Sequence, residues 1–148
     1  MSVVFYWKGD NYLSDMRNGK SYQLNQDSKL IIDLKPEEHV WAFTRLDGPY
    51  VLAAYLVVSK TQFNPPGYVY GKYCAVGDTH RSRYFNVYKA IDVEPVIRKI
   101  YPQAPSINKS GKRFELGSFF EGPSSGVRLL DPEKEQLLIS FVRVLAVI

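Results

Sequence analysis

The strongest constraint on the fold is a pair of long apolar runs separated by a tight turn. The first run is HVWAFTRL, beginning at His39, and the second is YVLAAYLVVSKTQF, beginning at Tyr50. Runs rich in β-branched and aromatic residues that flank an Asp-Gly-Pro turn predict a β-hairpin of two long strands. Side chains alternate along a strand, so the first arm divides into two faces, Val40, Ala42 and Thr44 against Trp41, Phe43 and Arg45. One face of the hairpin therefore carries two aromatic rings and a cation.

The N-terminal part of the chain mixes strand and helix signals. Residues 3–7, VVFYW, are β-branched and aromatic and predict a buried first strand. A short helix is predicted next, capped by Asp10 or Asn11 and ended by the Asn-Gly pair at 18–19. The stretch 21–34 fits either a strand or a short helical turn, and both alternatives stay open.

The C-terminal half contains two further strand signals and two helix signals. Two aromatic-rich runs within 63–93, separated by the loop GDTHRSR, predict two more strands. Apolar residues at helical spacing predict a helix over 93–100, and residues 102–112 form a long loop rich in Pro, Ser, Asn and Lys. A final helix is predicted after Asp131, which caps it. Its apolar stripe is interpreted as core packing: Leu137, Leu138, Phe141, Val142 and Leu145.

These elements together define the expected fold. About six strands and two or three short helices follow one another in mixed order, which is typical of an α+β protein. We expect a small, partly closed β-barrel with the helices at its rim. A length of 148 residues, with 45% apolar and 23% charged residues, fits a single domain spanning 1–148.

Several classes of protein are disfavoured by what the sequence lacks. Cys74 is the single cysteine, so no internal disulfide can form, and no His-Cys cluster is present to hold zinc. The apolar run at 3–7 is followed at once by Lys8 and Asp10, and it is far too short for a signal peptide or a membrane span. We therefore expect a soluble protein of the cytoplasm, with no membrane association, no metal and no cofactor.

The two histidines are the main candidates for enzymatic chemistry. The sequence contains none of the motifs G-x-G-x-x-G, G-x-x-x-x-G-K-[ST], G-x-S-x-G or H-E-x-x-H. His39 begins a predicted strand and is interpreted as structural. His80 lies beside Asp78 in a polar loop, where it is either solvated or able to carry a proton or contact a phosphate. A small hydrolase built on His80 and Asp78 is one hypothesis, but the main expectation is a protein without catalytic activity.

Composition points to the kind of partner. Aromatic residues make up 14% of the chain, including 11 tyrosines, and the formal net charge is +4 with a pI near 9.1. Tyrosine combines a flat apolar face with a hydroxyl that stays hydrated, which suits stacking on bases or on a protein partner. The basic balance favours a polyanion. The alternative is that tyrosine simply fills strand positions, as it does in many β-rich proteins.

Several stretches, read in order, resemble the EVE domain, a PUA-like family related to the YTH and ASCH modules. The resemblance preserves order over most of the chain and is carried by short strings: VFYWKGDNYLSDM, GKSYQLNQ, KPEEHVWAFTR, PYVLAAYLVVSK, IDVEPV and LLDPEKEQLL. Where the family usually has Ser-Glu-Pro after its lysine, this chain has Gly-Asp-Asn at 9–11. Leu24-Asn25 replaces the family's Ala-Arg-Asn. Residues at these places line the family's pocket, so the departures leave the identity of the bound base open.

The resemblance implies a barrel that holds a modified base flipped out of a DNA or RNA strand. Unstacking a base costs a few kcal/mol, which aromatic faces and hydrogen bonds to its polar edge must offset. The expected base pocket combines aromatic faces and polar groups: Trp7, Tyr22, Trp41 and Phe43 with Asp10, Ser14 and Asn25. The expected phosphate contacts are Lys8, Arg45, Lys72, Arg81 and Arg83. Both tryptophans lie on predicted inward-facing strands, so core packing is the alternative for each.

Two classes of function are carried forward from these features. The first is a non-catalytic nucleic-acid-binding domain that reads a modified base, such as methylated or hydroxymethylated cytosine, in an aromatic pocket. The second is a protein-interaction or regulatory domain whose aromatic strand face binds a partner, such as a protein of a nuclease or modification system. Salt separates them, because binding through phosphates weakens steeply as salt rises.

Overall fold

A curled sheet organises the fold. The computed structural model describes residues 1–19, 22–121 and 126–147, with side chains through 145. Within these ranges it contains seven strands: β1 (Val3–Lys8), β2 (Gln23–Gln26), β3 (His39–Arg45), β4 (Tyr50–Phe63), β5 (Tyr73–Gly77), β6 (Arg83–Tyr84) and β7 (Val127–Leu129). Their order is β2-β5-β4-β3-β1-β7, and β6 pairs with β4 off this path. The sheet forms a half-barrel, so the expected α+β class and partial closure are confirmed.

Five short helices pack on this sheet in the described part of the chain. They are α1 (Gly9–Arg17), α2 (Lys29–Ile32), α3 (Glu94–Ile100), α4 (Leu116–Phe120) and α5 (Pro132–Val147). Helices α1, α3 and α5 were expected, and Asp131 caps α5 by accepting a hydrogen bond from the Glu133 amide at 3.0 Å. The undecided stretch at 21–34 holds both β2 and α2, although residue 21 itself lies outside the described residues. Helix α4 was not expected, and α1 begins at Gly9 without a side-chain cap from Asp10 or Asn11.

The hairpin of β3 and β4 is the centre of the sheet. Strand β4 has 14 residues, its first half pairing with β3 and its last residues with β5. A strand of that length cannot stay flat, because each pair of neighbouring strands is rotated by roughly 20–25°. Register shifts between Ala42 and Phe43 and between Val58 and Lys60 bend it further. The bend in strand β4 therefore curls the sheet into the half-barrel.

Strand β1 lies between two strands that are distant in sequence. It pairs in parallel with β3, beginning with Val3 opposite Val40. On its other side it pairs antiparallel with β7, with Val3 opposite Leu129. The parallel pair needs a crossover connection, which α1, β2 and α2 supply.

Two hydrophobic cores lie on opposite faces of the sheet, as the alternation in β3 predicts. The first core lies under α1 and α2 and includes Phe5, Trp7, Tyr12, Leu24, Ile31, Val40 and Ala42. The second core lies under α3, α4 and α5 and includes Val4, Trp41, Phe43, Ile97, Leu116, Phe120 and Leu138. Successive residues of β1 and β3 enter different cores because side chains alternate across the sheet.

The loop at 102–112 is tied to α3 by a buried carboxylate. Glu94 is only 5% exposed, and it accepts a hydrogen bond from Arg98 Nε at 2.8 Å and another from Arg113. Arg98 also donates to the carbonyl oxygens of Pro105 and Phe114, both at 2.8 Å. Burial alone would raise the pKa of Glu94, but its bonds to the two arginines lower it. The loop is therefore held at both ends.

We expect Glu94→Gln to lower the free energy of unfolding by about 1.5–3 kcal/mol, since hydrogen bonds to charged groups have that size. Chemical denaturation in urea measures the change. Limited trypsin digestion should cut after Lys109 or Lys112 faster in this variant, because the loop loses its anchor. Glu133→Gln, an exposed position on α5, is the matched control. Equal stability of the two variants would contradict the anchoring role of Glu94.

Candidate ligand-binding cavity

A cavity of about 650 Å³ opens on the first-core side of the sheet, between β1, α1, β2 and the chain that joins β4 to β5. Its volume lies within the range of roughly 300–1,000 Å³ that is typical of small-molecule sites. Its buried floor is apolar, its walls are polar and its rim is exposed. The floor is formed by Phe5, Trp7 and Leu24, the walls include Ser14, Asp15, Asn25, Asp27 and Glu121, and the rim includes Val69 and Tyr70.

Trp7 is held in a fixed orientation at the floor. Its indole Nε1 donates a hydrogen bond to Asp15 Oδ2 at 3.0 Å. Tyr12 packs edge-on against the indole, with ring centroids 5.0 Å apart, and Phe5 lies at 6.2 Å. These contacts leave Trp7 only 8% exposed. A ligand that reaches the indole therefore meets a side chain that is already ordered before binding.

The opposite wall is built from β2 and a segment that we call the rim loop, residues 64–72. Asn64 Nδ2 donates to Asn25 Oδ1 at 2.9 Å and to the Gly71 carbonyl at 2.9 Å. Asp27 Oδ1 accepts a hydrogen bond from the Lys72 amide at 3.0 Å. In the described part of the chain, no acceptor takes the protons of the Asn25 amide nitrogen. This nitrogen is thus a donor available at the cavity wall.

Gly71 lets the rim loop approach β2 closely. Its φ is +131°, and a Cβ at this position would lie 2.7–2.8 Å from the backbone of Gln26. Real Cβ atoms do not come so near to backbone atoms, and L side chains rarely adopt this conformation. Glycine is therefore required where the rim loop crosses β2, and this crossing places Val69 and Tyr70 at the mouth of the cavity.

The lining is rich in hydrogen-bond acceptors and carries negative charge. Asp15, Asp27 and Glu121 contribute three carboxylates, and Lys8 is the cation among the described lining residues. Lys8 Nζ lies 3.8 Å from Glu121 Oε1. Among the described residues, the second carboxylate oxygens of Asp15 and Asp27 accept no hydrogen bond. The interior thus suits a group that donates hydrogen bonds, and its carboxylates would repel a phosphate.

The structure brings three of the expected base-pocket residues together and separates the other four. Trp7, Ser14 and Asn25 line the cavity. Asp10 is exposed in the first turn of α1 and is not part of the lining. Tyr22 also lies outside the lining and stacks on Tyr84, with centroids 4.9 Å apart and planes at 11°.

Trp41 and Phe43 belong to the second core, on the face of the sheet away from the cavity. Trp41 is 3% exposed and donates its Nε1 proton to Glu135 Oε2 at 2.7 Å. Phe43 has no exposed surface, and its ring lies 5.0 Å from that of Phe120. We therefore leave both rings out of the candidate site. Core packing was the alternative interpretation of Trp41 from the sequence, and the position of Trp41 supports it.

Some of the expected phosphate-binding residues lie at or near the cavity, and the others lie elsewhere on the sheet. Lys8 lines the cavity, and Lys72 is exposed in the rim loop beside Asp27. Arg45 is bound to Glu115 at 2.5 Å, on the second-core side of the hairpin. A bound carboxylate competes with any phosphate for the same guanidinium. Lys8 is thus the expected cation that lines the candidate site, and the backbone of Lys72 is bonded to the lining residue Asp27.

Arg81 and Arg83 are engaged elsewhere. The Arg81 guanidinium donates to both oxygens of Glu37, at 2.5 and 2.7 Å, and to Asp78 at 3.3 Å, and the bonds to Glu37 raise its pKa. Arg83 lies over the ring of Phe85, 4.7 Å from its centroid. These contacts fix the segment between β5 and β6 and leave neither arginine at the cavity.

The two histidines lie outside the cavity. The His80 amide donates to Asp78 Oδ1 at 2.8 Å, so Asp78 stabilises the turn through a backbone contact. His39 Nδ1 lies 2.7 Å from Glu135 Oε2, which joins β3 to α5. In the residues that the structure describes, no group of His, Cys, Asp and Glu side chains is arranged to hold a metal ion. No helix in the described residues is long and apolar enough to cross a membrane.

The cavity lining includes Asp15, Asp27, Tyr70 and Glu121, which the sequence did not single out as site residues. Asp15 lies on the same face of α1 as Asn11 and Ser14, because the three are spaced at i, i+3 and i+4. That spacing could have identified Asp15. Asp27, Tyr70 and Glu121 come from separate segments, and no sequence pattern connects them.

A scan against protein-family models finds no match for this chain, and a search of curated proteins finds no significant match.

Proposed function

We propose that this protein binds a nucleic-acid strand and holds one of its bases, a modified base such as methylated or hydroxymethylated cytosine, in the cavity without catalysing a reaction. The observation that carries the proposal is the convergence of Trp7, Ser14 and Asn25 on one cavity of about 650 Å³. An ordered aromatic floor beside donors and acceptors is what a flipped base needs to recover its lost stacking.

The chemistry of the walls favours a base that presents an amino group. Asp15 and Asp27 offer carboxylate oxygens, which only accept hydrogen bonds, and Asn25 offers an amide donor. Cytosine carries an exocyclic amino donor next to ring acceptors, so its edge complements this set. The apolar floor of Phe5 and Leu24 suits a methyl group at the neighbouring ring carbon. Thymine and uracil present a carbonyl where cytosine has the amino group and would meet a carboxylate.

The charges around the cavity favour a ligand whose base lies inside the cavity and whose phosphate backbone stays outside it. The three carboxylates of the lining disfavour a phosphate inside. Lys8 is an exposed lining residue, and Lys72 is exposed in the adjoining rim loop, where the backbone of a strand would pass. Phosphate contacts there would add a salt-dependent part to the affinity, and contacts to the base would add a part that salt hardly changes.

Tryptophan fluorescence tests the proposal directly, because the two tryptophans lie on opposite faces of the sheet. Trp41→Phe leaves Trp7 as the one reporter, and Trp7→Phe leaves Trp41. Each variant is titrated with oligonucleotides carrying cytosine, 5-methylcytosine, 5-hydroxymethylcytosine or N6-methyladenine, at low and moderate salt. We expect a saturable change in the Trp7 signal that is strongest for one modified base. A comparable change in the Trp41 signal of Trp7→Phe would place the ligand on the other face of the sheet and contradict the proposal.

Asp15→Asn should weaken binding of a cytosine-containing strand about ten-fold, the effect of losing one hydrogen bond to a charged group. Asparagine keeps an acceptor for the Trp7 indole, so the floor is preserved. Asp47→Asn makes the same change of charge in the exposed β3–β4 turn and should leave the affinity unaltered. If the Trp7 signal responds to no strand, the proposal is wrong, and the protein-interaction hypothesis becomes the better one.

A further inference from the structure

A cluster of exposed apolar side chains lies beside the cavity mouth. Phe63 is 74% exposed, Val69 85% and Tyr70 49%. Together with Tyr68 and Tyr73 they form what we call the aromatic rim. Ring contacts join these side chains in two pairs, Phe63 with Tyr73 and Tyr68 with Tyr70. Scattered exposed apolar residues are ordinary, but a group of them next to a cavity marks a surface that contacts a ligand or a partner.

The aromatic rim is continuous with the cavity. Phe63 and Tyr73 are opposite each other in the β4–β5 pair, with ring centroids 5.7 Å apart and planes at 66°. Tyr73 is also opposite Gln26 of β2, which lines the cavity. Val69 and Tyr70 line the cavity itself. A chain leaving the cavity in this direction would cross aromatic surface at once.

The rim loop is held in a defined shape. The Asn64 amide donates to the Lys72 carbonyl at 2.8 Å, closing the loop on itself. The Asn64 side chain joins it to Asn25, and the Lys72 amide binds Asp27. The aromatic rim is therefore presented by an ordered loop, so binding on it costs little conformational entropy.

We propose that the aromatic rim stacks the nucleotides that neighbour the base in the cavity, and that the ligand is therefore a single-stranded nucleic acid. This inference rests on the proposed function. Bases in a duplex are already stacked on both sides, whereas bases of a single strand offer their faces to aromatic side chains. Lys72 is exposed in the rim loop itself, and such a cation complements a phosphate backbone more readily than an apolar protein surface.

Three ligands test the inference with the full chain. They are 5-methyl-2′-deoxycytidine monophosphate, a single-stranded pentanucleotide with that base at its centre, and the same base in a blunt duplex. We expect the pentanucleotide to bind more tightly than either other ligand. In Phe63→Ala the ratio of the mononucleotide Kd to the pentanucleotide Kd should fall about ten-fold, as expected for the loss of one stacked base.

The control is Tyr88→Ala, which removes a tyrosine that is 78% exposed and belongs to neither the aromatic rim nor the cavity lining. It should leave the ratio at the wild-type value. If Phe63→Ala also leaves the ratio unaltered, or if the duplex binds at least as tightly as the single strand, the stacking role is overturned while the proposed function stands. The three ligands carry whichever base the Trp7 titration selects in place of 5-methylcytosine, and if the wild-type chain binds none of them, both proposals fail.

Discussion

Phe43→Ala is expected to lower the free energy of unfolding by about 3–5 kcal/mol, the cost of removing a large aromatic side chain from a packed core. Phe43 has no exposed surface. Its ring lies 5.1 Å from Tyr6, 5.8 Å from Tyr50 and 5.0 Å from Phe120, measured between centroids. Side chains from β1, β4 and α4 surround the ring, so its removal leaves a cavity that these elements fill only in part. Urea denaturation followed by circular dichroism measures the loss.

Phe63→Ala is the matched control for this prediction. It makes the same chemical change in the same hairpin, but at a side chain that is 74% exposed, so the expected loss is below about 1 kcal/mol. A similar small loss in both variants would show that Phe43 is not buried as described. Phe43 would then again be a candidate for contact with a ligand.

Glu135→Ala is expected to be the next most damaging substitution, with a loss of about 2–3 kcal/mol. One oxygen of Glu135 accepts hydrogen bonds from Trp41 Nε1 and from His39 Nδ1, both at 2.7 Å. Alanine leaves the Trp41 donor buried without a partner, and a buried unsatisfied donor costs the full loss of its hydration. Glu135→Gln keeps an acceptor oxygen and should lose less. Urea denaturation at pH 7 compares the variants, with Glu133→Ala as the exposed control on the same helix.

Lowering the pH should remove part of the contribution that Glu135 makes to the free energy of unfolding. Burial by itself would raise the pKa of Glu135, but the hydrogen bonds from His39 and Trp41 outweigh burial and lower it below its ordinary value of 4.5. A carboxyl whose pKa is lowered by folding stabilises the protein fully above the ordinary value. The stability that the ionised carboxylate contributes is lost as the pH falls through the lowered pKa. The stability difference between wild type and Glu135→Gln should therefore shrink below pH 4.5, and a difference constant from pH 7 to 3 would contradict the charge-assisted contact.

The strands were predictable where the pattern depends on neighbours along the chain. The β3–β4 hairpin follows from alternation and an Asp-Gly-Pro turn, and the same alternation correctly divides Val40 and Ala42 from Trp41 and Phe43. The helix α5 follows from its cap at Asp131. By contrast, α4 has only five residues, too few to show a helical period, so it was not recognised.

The candidate site was predictable only in part, because a strand pattern does not say which of its two faces has a cavity. Trp7 and Trp41 are alike in sequence, each within an aromatic strand, and both faces are covered by helices. They differ because the face of the sheet with Trp7 has a cavity, one wall of which is built by the rim loop. The contact of the rim loop with β2 depends on Gly71 and Asn64. The pairing of Arg81 with Glu37 likewise spans 44 residues, and no local pattern reveals it.

The position of β1 has a consequence for how the chain folds. Its two neighbours come from residues 39–45 and 127–129, so the central part of the sheet joins the beginning of the chain to its C-terminal region. Closing such long loops costs entropy before any contact is gained, and proteins with many distant contacts fold slowly. The β3–β4 hairpin is local and can form early, whereas β1 acquires both partners only after β7 has been synthesised. During translation, the edge of β1 that later binds β7 is open to pairing with other chains.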